Sequence, residues 1–204
     1  MKTLKIFILI AGVLAFTKAS SQAPKTEVGI RGGLNLSSMS VEDADDNNIL
    51  PGFQAGVYSK IPLGNGSFSL QPELLYSGKG LKKDGTEYNL NYLELPLKVA
   101  YNLAPDFNFH AGPYVGYLLN AKVKGSGQLA DVSGMIDPGA IDNSYFNNLD
   151  VGLTAGLGFS LNRLDLGFDY SFGILPTADE NKALQPILGS AKNNVIQVHV
   201  GYRF

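Results

Sequence analysis

The chain contains no cysteine. Without one it can be neither a disulfide-stapled scaffold nor a cysteine zinc protein, and it has no residue for a lipoprotein anchor. Long apolar runs are scarce too: after residue 21 none is long enough to cross a bilayer as a helix. Positive charge is also in short supply. The 16 Lys and Arg face 18 Asp and Glu, with no local basic run, which excludes phosphate-directed nucleic-acid binding.

What is present begins with an export signal. Lys2 and Lys5 precede the apolar run IFILIAGVLAF, and the small-residue stretch TKASSQA follows, with candidate cleavage points after Ala19 or Ser21. The expected organisation is a cleaved signal peptide over 1–21 and one domain over 22–204. Losing Lys2, Lys5 and Lys18 takes the 16 basic residues to 13 against 18 acidic ones, a formal charge of −5.

In the mature chain the dominant period is two. Eight segments alternate: Val28, Ile30, Leu34 and Leu36 oppose Glu27, Arg31 and Asn35 in the first, and Ile196, Val198, Val200, Tyr202 and Phe204 oppose Gln197, His199, Gly201 and Arg203 in the last. In the fourth, Tyr88, Leu90 and Tyr92 stand in one phase and Leu93, Leu95, Leu97, Val99 and Tyr101 in the other. This change predicts a β-bulge or a strand start near Tyr92. Connections alternate in length. PLGNGS, NLAPD and SLNR are brief, whereas SMSVEDADDNNIL, SGKGLKKDGT and the stretches 121–147 and 175–193 are longer.

An even strand count with short turns at one rim and long loops at the other predicts an all-β fold: an eight-stranded antiparallel up-and-down transmembrane β-barrel with short periplasmic turns and long extracellular loops. A soluble barrel with an apolar interior would show the same alternation. Three features favour the membrane form. The polar face is rich in glycine, which suits a crowded interior. The apolar face carries aromatics towards strand ends, among them Phe53, Phe68, Tyr76, Phe107, Phe159 and Phe172, and the long loops share one rim.

Lipid outside then means charge inside. Arg31, Lys60, Lys98 and Arg203 are available to meet Glu73, Glu94, Asp150, Asp165 and Asp169, a mixed set that reads as a structural network. His110 and His199 also point inward, away from the outer rim where a lipid-modifying enzyme would need its base, and no serine stands two residues from either. The expectation is no enzyme, no cofactor and no metal site. VEDADDNN at 41–48 starts like a calcium loop with Asp43, Asp45 and Asn47, but Asn48 replaces the glycine and Gln54 the bidentate Glu. Lys79, Lys82 and Lys83 read as a solvated hairpin tip. Stretch 121–147 holds more apolar groups than a simple cap needs: Leu129, Val132, Met135, Ile136, Ile141, Tyr145 and Phe146. It is the candidate contact loop.

LQPELLYSGKG (70–80), YLELPLKVAYNL (92–103), HAGPYVGYLLNA (110–121) and LDVGLTAGLGFSLNRLDLGFDYSFGI (149–174) resemble the outer-membrane β-barrel domain family that includes PorT-like proteins of Gram-negative bacteria. The resemblance implies an outer-membrane barrel without a catalytic motif; some PorT-like members take part in protein secretion. It also implies that terminal Tyr202 and Phe204 resemble the signal read by the barrel-insertion machinery. The expected partners are outer-membrane lipid and that machinery, with no nucleic acid. The expected task is anchoring or assembly, with a narrow pore as the alternative and a lipid-modifying barrel enzyme as the remoter one.

Overall fold

The computed structural model describes residues 25–40, 49–64, 66–83, 86–125, 147–177 and 192–204. They form eight strands: β1 (Glu27–Ser40), β2 (Leu50–Leu63), β3 (Phe68–Lys83), β4 (Thr86–Ala104), β5 (Phe107–Gly125), β6 (Leu149–Leu161), β7 (Leu164–Gly173) and β8 (Lys192–Arg203). Each pairs antiparallel with its chain neighbours, and β1 pairs β8 from Gly29↔Arg203 to Ser40↔Lys192. The barrel is closed, so no strand keeps a free edge along its length in the wall.

Tight turns are built from residues that tolerate positive φ. Gly64 (57°) and Gly66 (87°) carry the β2–β3 turn, and Asn162 (51°) opens the two-residue β6–β7 hairpin. On the opposite rim the sequence expectation needs correction. SGKGLKKDGT is not a long loop: β3 and β4 continue through it, pairing up to Lys83↔Thr86. Here Lys79 keeps the inward parity of Gln71, Glu73 and Ser77, so it lies inside the barrel and not on a hairpin tip. Lys82 is part of the hairpin and stands 3.7 Å from Glu87.

The bulge expected near Tyr92 is present, with its extra residue on the neighbouring strand. β4 keeps one phase throughout, with Tyr88, Leu90, Tyr92, Glu94 and Lys98 all buried. The register slips between Asn91↔Asn120 and Tyr92↔Leu118, so the extra residue belongs to β5. Apolar residues of one β4 phase therefore face the lumen, which sequence alternation assigned to a polar face.

Burial is inverted relative to a soluble protein. Leu34 (67%), Phe53 (55%) and Val198 (53%) are exposed on the wall, whereas Arg31, Glu73, Lys98 and Asp169 are exposed by 5% or less. A wall of this polarity is stable only against hydrocarbon. Aromatic residues bound the apolar band: Phe68 packs on Tyr101 at a ring separation of 4.9 Å at one level, and Phe53 on Tyr76 at 5.5 Å at the other. From Phe68 to Tyr76 the strand rises roughly 26 Å. A tilt of about 40° reduces that to about 20 Å, close to the height of an outer-membrane barrel's apolar band.

Candidate functional site

Among the described residues, chemistry-bearing side chains converge in the lumen, which is filled in layers. Alternation sends every second residue inward, so each strand delivers one or more ionisable groups, and closure brings them within reach. Near the short turns, Arg203 Nη1 lies 2.6 Å from Glu27 Oε2 and its Nε 3.1 Å from Asp165 Oδ2. Lys60 Nζ donates to Asp165 Oδ1 at 2.9 Å and to Ser160 Oγ at 3.2 Å, and the Tyr58 hydroxyl donates to Asp165 Oδ2 at 2.5 Å.

The central layer is built on two cations and two anions. Arg31 Nη1 donates to Glu73 Oε2 at 2.7 Å and its Nη2 to Gln54 Oε1 at 2.9 Å. Lys98 Nζ lies 2.8 Å from Glu73 Oε1 and 3.5 Å from Asp169 Oδ2, which is also 3.4 Å from Arg31 Nη2. Both histidines close on the same carboxylate: His110 Nε2 is 2.5 Å from Asp169 Oδ1, and His199 Nδ1 is 3.3 Å from Oδ2. Close approach requires glycine here. A Cβ on Gly167 would overlap the His199 ring, and one on Gly156 would overlap Asp169 and His110.

Further towards the long-loop rim, buried Lys79 bonds Glu94 and lies 3.0 Å from Asp150 Oδ2. Asn193 Nδ2 donates to Asp150 at 3.1 Å, Tyr114 donates at 3.3 Å, and the ammonium sits 4.4 Å from the Tyr114 ring centroid. Each cation thus meets a carboxylate or a π face, the arrangement that lets charge persist out of water. Leu50, Leu75, Leu90, Leu118 and Val195 add an apolar seal in the same half of the lumen.

The other half is open to water. A cavity of about 360 Å³, lined among others by Lys60, Ser69, Gln71, Asn102, Asn108 and Arg203, occupies the mouth at the short turns. A smaller one of about 30 Å³, room for one or two waters, reaches Arg31, Glu73 and Lys98.

The nine charged residues singled out from the sequence divide among the three layers: Lys60, Asp165 and Arg203; Arg31, Glu73, Lys98 and Asp169; Glu94 and Asp150. Sequence reasoning left Lys79, Glu27 and the histidines out of the network. Parity alone could have found Lys79. The partners of the histidines are Asp169 and, for His110, Asn108 at 2.9 Å; a nucleophilic hydroxyl is not among them. Tyr202 and Phe204 lie on the outer wall with rings 6.0 Å apart. Leu129, Met135, Ile136, Tyr145 and Phe146 lie outside the described residues, as do the acidic stretch 41–48 and the signal segment 1–21.

Among solved structures the chain is similar to the outer membrane protein Ail of Yersinia pestis, the attachment invasion locus protein, seen in complex with the heparin analogue sucrose octasulfate. Identity is 13%, the TM-score 0.51, and the match covers 89% of this chain and 100% of that one. Neisserial surface protein A matches at 11% identity and a TM-score of 0.58, with the same coverage. These likenesses show the fold. No curated protein matches in sequence. The family model described as "Outer membrane protein beta-barrel domain" matches residues 19–179. With an apolar wall, a charge-filled lumen and this match over most of its length, the chain belongs to the outer-membrane β-barrel domain family and resides in the outer membrane.

Proposed function

We propose that the protein is a non-enzymatic membrane anchor, exported by a cleaved signal at 1–21, whose filled barrel holds its long loops at the cell surface as part of an envelope assembly. One observation carries this reading. The described lumen is occupied by paired charges with leucines beyond them, which supports a rigid mount over a solute path. The resemblance to PorT-like proteins supports an assembly linked to secretion, and the apolar residues Leu129, Met135 and Ile136 support stretch 121–147 as the contact.

The test is crosslinking in native outer membranes, then purification through a tag placed in 121–147. A stoichiometric protein partner that disappears when Leu129, Met135 and Ile136 are made polar is the expected result. A barrel recovered with lipid alone would sink the assembly reading. The water-accessible mouth favours a narrow pore as the second reading. Under that reading, Lys98→Glu would change ion selectivity in planar bilayers; under the first, neither form conducts.

A further inference from the structure

Three prolines interrupt the wall, and the interruptions join. The β2–β3 ladder runs to Tyr58↔Glu73 and resumes at Ile61↔Leu70, skipping Pro72. Between β3 and β4 it breaks from Pro72↔Leu97 to Leu75↔Glu94, across Pro96. Between β4 and β5 it breaks from Pro96↔Tyr114 to Val99↔Ala111, across Pro113. Proline has no N–H to donate, so by register the carbonyls of Ser59, Glu73 and Leu97 lose their ladder donors. The gaps are contiguous on each shared strand: 71–72 then 73–74 on β3, 95–96 then 97–98 on β4. The other five interfaces run without a break.

The line also lies where it costs most. Pro72 stands midway between Phe68 and Tyr76 on β3, and Pro113 midway between Phe109 and Tyr117 on β5, the middle of the apolar band. Hydrocarbon there supplies no substitute hydrogen bonds. Behind the line lies the smaller cavity, room for one or two waters, touching Gln71, Glu73 and Lys98. Across it, Lys98 of β4 grips Glu73 of β3 at 2.8 Å.

We propose that this stretch of wall from β2 to β5 is a hatch between the lumen and the bilayer core, latched from inside by the Glu73–Lys98 ion pair. Water from the mouth satisfies the freed carbonyls as the strands part, which makes opening here easier than anywhere else on the circumference. A barrel can open sideways whether or not it conducts along its axis, so the hatch stands apart from the anchoring role.

Hydrogen exchange followed by mass spectrometry, on the full mature chain in lipid nanodiscs, tests it. Amides of 97–99 and 110–112 are expected to exchange about tenfold or more faster than those of 153–159 and 166–170, the factor supplied by about one lost hydrogen bond. Lys98→Met should speed exchange at the hatch more than on β6 and β7, and Pro72→Val with Pro113→Val should slow it to the level of β6 and β7. Equal protection around the unmodified barrel would overturn the hatch. Equal acceleration on all strands in Lys98→Met would overturn the latch.

Discussion

Asp169 is the most instructive residue to change, because four groups converge on it: Arg31, Lys98, His110 and His199. Asp169→Asn keeps the volume and removes only the charge, so no cavity confuses the result. Two buried cations are then left with one carboxylate, Glu73. Stranding a buried charge costs about 3 to 5 kcal/mol, and about 4 kcal/mol corresponds to nearly a thousandfold in the folded population. Adding Lys98→Met restores formal neutrality and should return about half of that loss, the remainder reflecting lost contacts. Denaturant unfolding in lipid vesicles, read by the shift of the folded band on unheated gels, measures both. If Asp169→Asn lies within about 1 kcal/mol of the parent, or the double variant is weaker than the single, the layer is not a balanced charge network.

Gly167→Val forces a side chain into the space of the His199 ring and should cost about 1 to 3 kcal/mol in the same assay, whereas Gly32→Val, on the open outer wall, should be nearly neutral. Phe204→Ser should leave the folded barrel's stability within about 0.5 kcal/mol, since Phe204 is 71% exposed, yet slow assembly by purified insertion machinery severalfold. Equal losses in both measurements would make Phe204 a packing residue and not an assembly signal.

The barrel was legible because side-chain direction in a strand is a local property: parity alone assigned Arg31, Glu73 and Asp169 to one face. Which charge meets which was not legible. Arg31 and Glu73 are 42 residues apart, Arg31 and Asp169 138, and only the closed register brings them together. Lys79 was missed for another reason. Glycine and lysine in SGKGLKKDGT look like a turn, but pairing with β4 extends the hairpin and overrides that local preference. The lumen-facing Tyr88, Leu90 and Tyr92 misled through polarity, since an apolar seal reverses the expected sign of the inner face. The prolines were in plain view, one in each of QPELLYS, YLELP and AGPYVGYLL, but their effect on neighbours needs the register to be known.

The central layer also sets the order of assembly. Its members come from β1, β3, β4, β5, β7 and β8: the first four strands hold Arg31 and Lys98 against Glu73 alone, and the counter-charge Asp169 comes only with β7. An open, partly inserted sheet would expose Arg31 beside β8's vacant place with Asp169 still absent. Such a species would carry unpaired charge into hydrocarbon, and its free energy would rise steeply with depth. Pairing of the first and last strands must therefore precede, or coincide with, full descent into the membrane. Long-range closure of this kind is slow. The same residues that make the finished wall stable make the half-made one a species the cell has reason to shelter until its two ends have met.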